Sequence, residues 1–327
     1  MDDFSKNSPK VTVFGGSGFL GRYIVQRLSR QGWMVNVITR NPHESLFLKT
    51  LGHIGQINLI KGNFLNSKPL KEVLKGSNAV VNCVGILNET SNQKFKILHS
   101  EVPAKLAEYA SDMDVGKFIH ISSIGADKNS DSHYARTKGL GEERICEAFP
   151  KAIILRSSVM FGAEDKFFNL FSSIASLSPV LPVVGGTTLF QPVYVDDIAH
   201  AVEKLLQGCE LNKKKGLIFE LGGPEILNFR DLMSKMLFSI QRRRMLLDIP
   251  FWMANFICPI VYMANKVSLN TVPLLITKDQ IRQLKKNNIV SEDTPGFQDL
   301  DISPRVLDNI LPAYLGRYRP KGQFTDL

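Results

Sequence analysis

Cysteine, tryptophan and histidine are all scarce, with four, two and six residues in a chain of 327. The cysteines, Cys83, Cys146, Cys209 and Cys258, stand apart, with no Cys-x-x-Cys pair and no metal-ligand spacing. That pattern argues against a disulfide scaffold, a dithiol redox motif and a structural zinc centre, and the thiols read as reduced. Long hydrophobic runs are also missing. The most apolar stretch, Ile249 to Ala264, is too short for a membrane-spanning helix and is broken by Pro250, Asn255 and Pro259. No internal repeat or low-complexity linker interrupts the chain. The opening Met-Asp-Asp-Phe-Ser-Lys has neither the apolar core of a secretory signal nor the arginines of a transit peptide. It predicts a protein of the bacterial cytoplasm or of the cytoplasmic face of the inner membrane, or a mature eukaryotic form on the mitochondrial matrix side.

Positive charge is in modest excess. Lys plus Arg outnumber Asp plus Glu by 40 to 31, giving a net charge of +9 and a pI near 9.3. The excess is spread thinly, with short clusters only at Lys213-Lys214-Lys215 and Arg242-Arg243-Arg244, both read as solvated faces. No nucleic-acid motif accompanies them, so the charge suits an anionic cofactor, an acidic partner or an anionic membrane surface rather than DNA or RNA.

Between the apolar run Val11-Thr12-Val13 and a helix-patterned stretch from Arg22 to Arg30 lies Phe14-Gly15-Gly16-Ser17-Gly18-Phe19-Leu20-Gly21. A strand that ends at Phe14 needs Gly15 for the tight turn. Gly18 lets the backbone approach a pyrophosphate, and Gly21 lets the new helix pack closely on the sheet. The helix start then offers N–H groups and a partial positive charge to the phosphates. Further strands are expected at Met34 to Ile38, Ile57 to Ile60, Ala79 to Gly85, Lys117 to Ser123 and Ala152 to Arg156, alternating with helical segments. One of these, Phe95 to Ala110, is interrupted by Pro103, which should kink or restart the helix, and His99 within it reads as a packed or partly exposed histidine rather than a base. The alternation predicts an α/β fold: a Rossmann-type doubly wound parallel sheet with a smaller C-terminal α+β or helical substrate-type domain. The expected division is a nucleotide-binding core over 1–160 and a mixed region over 161–327, which returns to the core at about 190–208.

At the end of the second strand, where an acid would hold the ribose hydroxyls of NAD, the chain has Thr39-Arg40-Asn41. Arg40 can accept the extra phosphate of NADP, so NADP(H) is expected over NAD(H). Asn63, after the third strand, and the turn beyond Asn82 that includes Gly85 fall beside the glycine turn at the carboxyl ends of the strands. Ser122-Ser123 closes the fifth strand, and Tyr134-x-x-x-Lys138 follows eleven residues later. Tyr and Lys four apart share one helix face. An ammonium there stabilises phenolate and brings a phenol of pKa near 10 towards working range, while a serine hydroxyl holds a carbonyl. Asp196-Asp197 reads as the N-cap of the helix Ile198 to Leu206 rather than a metal site. Asn228 is expected to cap a helix around Leu232 to Ile240.

These motifs resemble the short-chain dehydrogenase/reductase superfamily in its extended or atypical branch: Gly15-x-x-Gly18-x-x-Gly21, Gly62-Asn63, Asn82-x-x-Gly85, Ser122-Ser123 and Tyr134-x-x-x-Lys138. The resemblance implies Ser123, Tyr134 and Lys138 as catalytic residues, with Lys138 also on the nicotinamide ribose and Asn63 on adenine. The candidate cofactor set is Gly15, Ser17, Gly18, Phe19, Leu20, Gly21, Arg40, Asn63, Phe64, Cys83, Val84, Gly85, Tyr134 and Lys138. Two departures are Asn63 in place of the usual Asp and a short interval between serine and tyrosine. Phe47-Leu48-Lys49, Gly52-His53-Ile54-Gly55-Gln56-Ile57, Pro273 to Gln280 and Leu311-Pro312-Ala313-Tyr314-Leu315-Gly316-Arg317-Tyr318 further resemble the nucleotide-binding accessory subunit of respiratory complex I, alpha subcomplex subunit nine, and its bacterial relatives. That resemblance implies an NADPH-holding accessory or assembly subunit with complex I partners and peripheral contact with a membrane surface. The intact triad leaves open an active NADPH-dependent reductase or epimerase, and an NADP-sensing regulator is a third reading. Ile249 to Ala264 is either a helix pair closing the small domain or an interface.

Overall fold

Buried Val, Ile and Phe residues dominate seven short segments of the chain, and these form one parallel sheet. In the computed structural model, which describes residues 8–62, 67–90, 92–208, 217–256, 258–259 and 276–322, the strands are β1 (Lys10–Phe14), β2 (Met34–Thr39), β3 (Ile57–Lys61), β4 (Ala79–Asn82), β5 (Lys117–Ser123), β6 (Ile153–Ser157), β7 (Met160–Phe161), β8 (Val180–Val184), β9 (Leu189–Phe190), β10 (Val193–Tyr194), β11 (Ile218–Leu221), β12 (Leu227–Asn228) and β13 (Met245–Ile249). The main sheet has the order β11-β6-β5-β4-β1-β2-β3, every pairing parallel. Strand order reverses between β1 and β4, and the crevice at such a reversal is where open α/β sheets bind ligands. β11 is the seventh strand of this sheet, although the sequence pattern changes just before it.

The helices are α1 (Phe19–Arg30), α2 (Ser67–Leu74), α3 (Val102–Asp112), α4 (His133–Ala148), α5 (Phe167–Leu177), α6 (Val195–Gln207) and α7 (Phe229–Ser239), followed by Lys278–Gln283 and Leu307–Leu315. One face of the sheet is covered by α1 and α6, whose Ile24, Leu28, Ile198 and Val202 are fully buried with Val11, Val13 and Leu155. The opposite face carries α2, α3 and α4, with Leu74, Leu106 and Ile145 buried against Phe14, Val80 and Phe118. Pro103 does not kink a continuous helix. A π-helical turn, Lys96–Glu101, runs directly into α3, and the proline sits in the first turn of α3, where it has no N–H bond to lose.

A third core, beyond the carboxyl ends of the strands, gathers Phe161, Phe168, Leu181, Phe229, Met233, Met236, Leu311 and Leu315. It is framed by parallel β8 and β13 and by antiparallel β9 and β12. Asn228 caps α7, its side-chain oxygen accepting from the Asp231 N–H at 2.8 Å. The Leu-Pro-x-Tyr-Leu element is structural here: Leu311 and Leu315 are buried, and the Tyr314 hydroxyl donates to Asp165 at 2.6 Å. Gln56 plays a similar part, its amide donating to the Ser29 and Trp33 carbonyls at 2.6 and 3.0 Å.

Asp196 and Asp197 do not cap α6. The N-cap is Tyr194, with no side-chain capping bond, and both acids lie in the first turn. There Asp196 takes two bonds from Arg27, at 2.6 and 2.8 Å, while Asp197 accepts the Arg305 N–H at 2.7 Å. Arginines from distant segments compete successfully for these carboxylates because they supply a full charge as well as donors.

The apolar segment splits between the two readings made of it. In the helix over 251–256 and 258–259, Ala254 and Cys258 are buried against Val184 and Ile281, whereas Trp252 and Phe256 are 63% and 71% exposed. Residues 257 and 260–264 lie outside the described residues, as do Asn63, Phe64, Cys209 and Lys213 to Lys215. Among the described residues no helix is long and apolar enough to cross a membrane, and no group of three metal-ligating side chains occurs.

Candidate functional site

The Gly15 turn has the backbone that the motif demands. Gly15 is at φ +77°, in the left-handed region, and a Cβ there would meet the Cys83 carbonyl at 3.1 Å. The Gly18 N–H donates to the Gly15 carbonyl at 3.0 Å, which closes the turn. A Cβ on Gly21 would stand 2.2 Å from the Gly15 oxygen and 2.6 Å from the Gly16 Cα, so α1 can start only from glycine at this position. Gly18 is the N-cap of α1 and caps it with no side chain, which leaves the first-turn N–H groups for an anion. The cradle therefore fits a dinucleotide pyrophosphate.

One cleft of about 2510 Å³ opens beside this turn. Gly15, Ser17, Gly18, Phe19 and Leu20 line it, and so do Arg40, Cys83, Val84, Gly85, Ser123, Tyr134 and Lys138. Gly21 does not line the cleft and acts by packing. Asn63 and Phe64 lie outside the described residues. Arg40 is exposed at the end of β2, where the outer phosphate or ribose of a dinucleotide would lie. Burial pushes the Cys83 thiol up to about 12, so this cysteine lines the cleft as a neutral side chain.

Ser132 caps α4, accepting from the Ala135 N–H at 3.2 Å, and the helix turns Tyr134 and Lys138 towards the end of β5. The Tyr134 ring stands edge-on to His99 and Phe95, with centroids 5.2 and 5.6 Å away. Burial raises the Tyr134 pKa, and only the neighbouring Ser123 hydroxyl acts the other way. Lys138 shares a helix face with Tyr134, as the spacing implied, but is not among the groups that set this shift. The Lys138 ammonium donates instead to the Ile121 carbonyl at 3.0 Å, and desolvation lowers its own pKa to about 8. Ser123 Oγ is buried and makes no hydrogen bond of full geometry, which leaves it able to meet a substrate oxygen beside Tyr134.

Of the two settings the sequence left open for His99, the structure shows the packed one: the side chain is fully buried. Its Nε2 accepts from the Ile86 N–H at 3.1 Å, and its Nδ1 lies 3.2 Å from Thr137 Oγ1. The Thr137 hydroxyl donates to the His133 and Tyr134 carbonyls, so we assign the proton to Nδ1. Desolvation and then the Lys138 charge lower the His99 pKa to about 2, so the ring stays neutral.

Two acids complete the site, and sequence reasoning had not singled out either. Glu142, one turn beyond Lys138 on α4, is buried, accepts from Ser122 and takes a 2.6 Å bond from Arg156, which also reaches Glu220 at 3.4 Å. The charge of Glu142 partly offsets the desolvation of Lys138. Asp279 reaches the start of α4 from the helix Lys278–Gln283. It accepts the His133 N–H at 2.7 Å, the Tyr134 N–H at 3.0 Å and the Ser132 hydroxyl at 2.9 Å. The helix-start signal Thr277-x-x-Gln280 was available in the sequence, and it forms a full capping box. Nothing in it shows that Asp279 faces a residue 145 positions away.

Burial opposes the charge on Asp279, but these donors outweigh it and hold its carboxyl below the usual range. A depressed carboxyl contributes stability that is present above the unfolded value, about 3.9, and is lost as pH falls through the folded value. Asp279→Asn should therefore cost about 1 kcal/mol at neutral pH, in the range of a lost helix cap. The difference from wild type should shrink as urea melts are repeated at progressively lower pH below about 3.9; a gap that stays constant as the pH falls would contradict the assignment.

A profile of the NAD dependent epimerase/dehydratase family matches residues 11–222. The alpha subcomplex subunit 9 of mitochondrial NADH dehydrogenase [ubiquinone] 1 from Arabidopsis thaliana is 35% identical over 95% of this chain and 78% of its own length. The mitochondrial NADH-ubiquinone oxidoreductase 40 kDa subunit of Neurospora crassa is 31% identical over 96% and 80%. Among solved structures, a dTDP-glucose 4,6-dehydratase from Streptomyces venezuelae with NAD bound superposes with a TM-score of 0.68 at 18% identity, covering 94% of this chain and 96% of that one. At that identity the likeness concerns the fold alone.

Proposed function

The chain belongs to the NAD dependent epimerase/dehydratase family of extended short-chain dehydrogenase/reductase proteins, and from that premise we propose an accessory or assembly subunit of respiratory complex I that holds NADPH. The observation that carries the complex I reading is the similarity to two complex I subunits over more than nine-tenths of the chain. The glycine cradle and its lined cleft supply the place for the dinucleotide, with Ser17, Gly18, Phe19 and Leu20 at the pyrophosphate and Cys83, Val84 and Gly85 on the wall beside it. In this reading the dinucleotide serves mainly as a structural ligand that stabilises the folded core. The protein's site of action is the matrix side of the mitochondrial inner membrane, or the cytoplasmic face of a bacterial one. Affinity capture from detergent-solubilised membranes tests the assignment. Complex I subunits should co-purify, and their absence would refute it.

Arg40 is the residue that selects NADPH. A charged guanidinium on a phosphate contributes roughly 1.5–3 kcal/mol, so Arg40→Ala should weaken NADPH by about ten- to a hundredfold and leave NADH nearly unchanged. Calorimetric titration with both nucleotides measures this. Equal weakening of the two would remove Arg40 from the account.

A second reading is favoured by one observation, the buried Ser123 hydroxyl left without a full hydrogen bond beside Tyr134. In that reading the protein is an NADPH-dependent reductase or epimerase acting on a carbonyl or hydroxyl substrate. The bound nicotinamide would supply hydride as NADPH or accept it as NADP+. Ser123 holds the substrate oxygen, Tyr134 passes a proton to or from it, and Lys138 orients the nicotinamide ribose.

A further inference from the structure

The cleft is far larger than one dinucleotide needs, since ligand pockets usually measure about 300–1,000 Å³ and this one about 2510 Å³. One part of it, a chamber lined from α5, β9 and α7, has a distinct character. Phe167 and Phe171 of α5, Phe190 of β9 and Phe229 of α7 form a wall of interlocking rings, with centroids 5.4 to 6.4 Å apart. Val184 and Pro182 extend it.

A sugar nucleotide would need free donors and acceptors for its hydroxyls and base, and several of the polar side chains here already have partners inside the fold. Asn288 Oδ1 accepts from the Ser158 hydroxyl at 2.7 Å and from the Val159 N–H at 3.2 Å. Gln280 is held in its capping box, Gln283 donates to Asp279, and Arg282 donates to the Asp131 carbonyl. The cations on the rim differ. Lys166 immediately precedes Phe167, and Lys285 and Lys286 immediately precede the Asn287–Asn288 pair that borders Phe190; all three lysines are exposed.

We infer that this chamber binds a long-chain acyl lipid with an anionic headgroup, its chain on the phenylalanine wall and its head among Lys166, Lys285 and Lys286. The inference rests on the nucleotide-binding reading, because the chamber continues the cofactor cleft, but it does not require turnover. An apolar chain gains by leaving water for the aromatic wall, and the head keeps its charge by staying at the cationic rim.

The probe is cis-parinaric acid, whose fluorescence rises on entering an apolar site, titrated into the full chain saturated with NADPH. Saturable binding near one per chain is expected. Phe171→Asp, which places a charge on the wall, should weaken it about tenfold or more. The Lys285→Glu, Lys286→Glu double variant, altered only at exposed positions, should weaken it about fivefold. Trp252→Ser, on the exposed face of the 251–256 helix, should leave it unchanged. Loss of binding in Trp252→Ser with retention in Phe171→Asp would assign the probe to the outer surface and overturn the inference. So would displacement of the probe by UDP-glucose, or no binding while NADPH still binds. Probe binding in a chain that takes no NADPH would instead refute the nucleotide reading and leave the chamber assignment standing.

Discussion

Gly21→Ala should lose NADPH by about a hundredfold or more, equivalent to roughly 3 kcal/mol of binding. The new methyl group would sit 2.2 Å from the Gly15 oxygen and 2.6 Å from the Gly16 Cα, and both obstacles are backbone. No rotamer change can relieve such a clash, so the turn must open and the pyrophosphate cradle must spread with it. Overpacking of this kind costs the fold about 1–3 kcal/mol as well. Gly32→Ala separates the two effects. Gly32 lies at φ +81° with nothing within 4 Å of a built Cβ, so alanine there is strained but crowds nothing. It should lower the melting temperature and leave NADPH affinity intact. Equal affinities in Gly21→Ala and wild type, by calorimetry, would contradict the cradle.

Lys138→Met should have the opposite effect on stability. The ammonium is buried, and desolvation pulls its pKa from 10.5 to about 8, a cost of the order of 3 kcal/mol in the charged state. Removing the amine also leaves the Ile121 carbonyl without its 3.0 Å donor, which returns about 1 kcal/mol. The nucleotide-free variant should therefore be more stable than wild type by about 2 kcal/mol at pH 7. The sign follows from the lowered pKa of a base. The cost is fully present below about 8, shrinks as pH rises through that value, and is gone above the unfolded value near 10.5. The advantage of the variant should fade over the same window. Denaturant melts across it give the answer, and a destabilised Lys138→Met at pH 7 would show that the lysine contributes to the empty fold.

The glycine turn, the first six strands of the sheet and the Tyr134–Lys138 face were readable because each depends on residues close together in sequence. Period, turn chemistry and the spacing of four are local quantities. What failed to show depends on distant segments meeting. The pairing of β11 with β6 joins segments some sixty residues apart, and only the folded chain reveals it: Ile218 stands opposite Ile154. β13 lies in a stretch with no buried residue, and its partner, β8, lies 65 residues earlier, with Met245 opposite Val180. Asp196 and Asp197 have the local signature of caps, and arginines from two other segments claim them.

The pKa of Tyr134 is the subtler case. Spacing places Tyr134 and Lys138 on one face, but it cannot show that the Ile121 carbonyl holds the ammonium or that Phe95 and His99 bury the phenol. Asp279 belongs with these, since it anchors the start of α4 from a segment that follows the apolar stretch.

The central claim is that the cleft holds NADPH as a resident ligand. A ligand bound only by the folded state stabilises it by roughly 2.7 kcal/mol at a hundredfold excess over its dissociation constant, and a resident nucleotide is one that dissociates slowly enough to survive purification. The direct measurement is to purify the chain from its own cells with no nucleotide added, denature it, and identify what is released by chromatography and mass spectrometry. The account predicts NADP(H) close to one per chain from wild type and almost none from Gly21→Ala. Release of NAD(H) alone, or of no nucleotide from a wild-type chain that also fails to bind added NADPH, would contradict it.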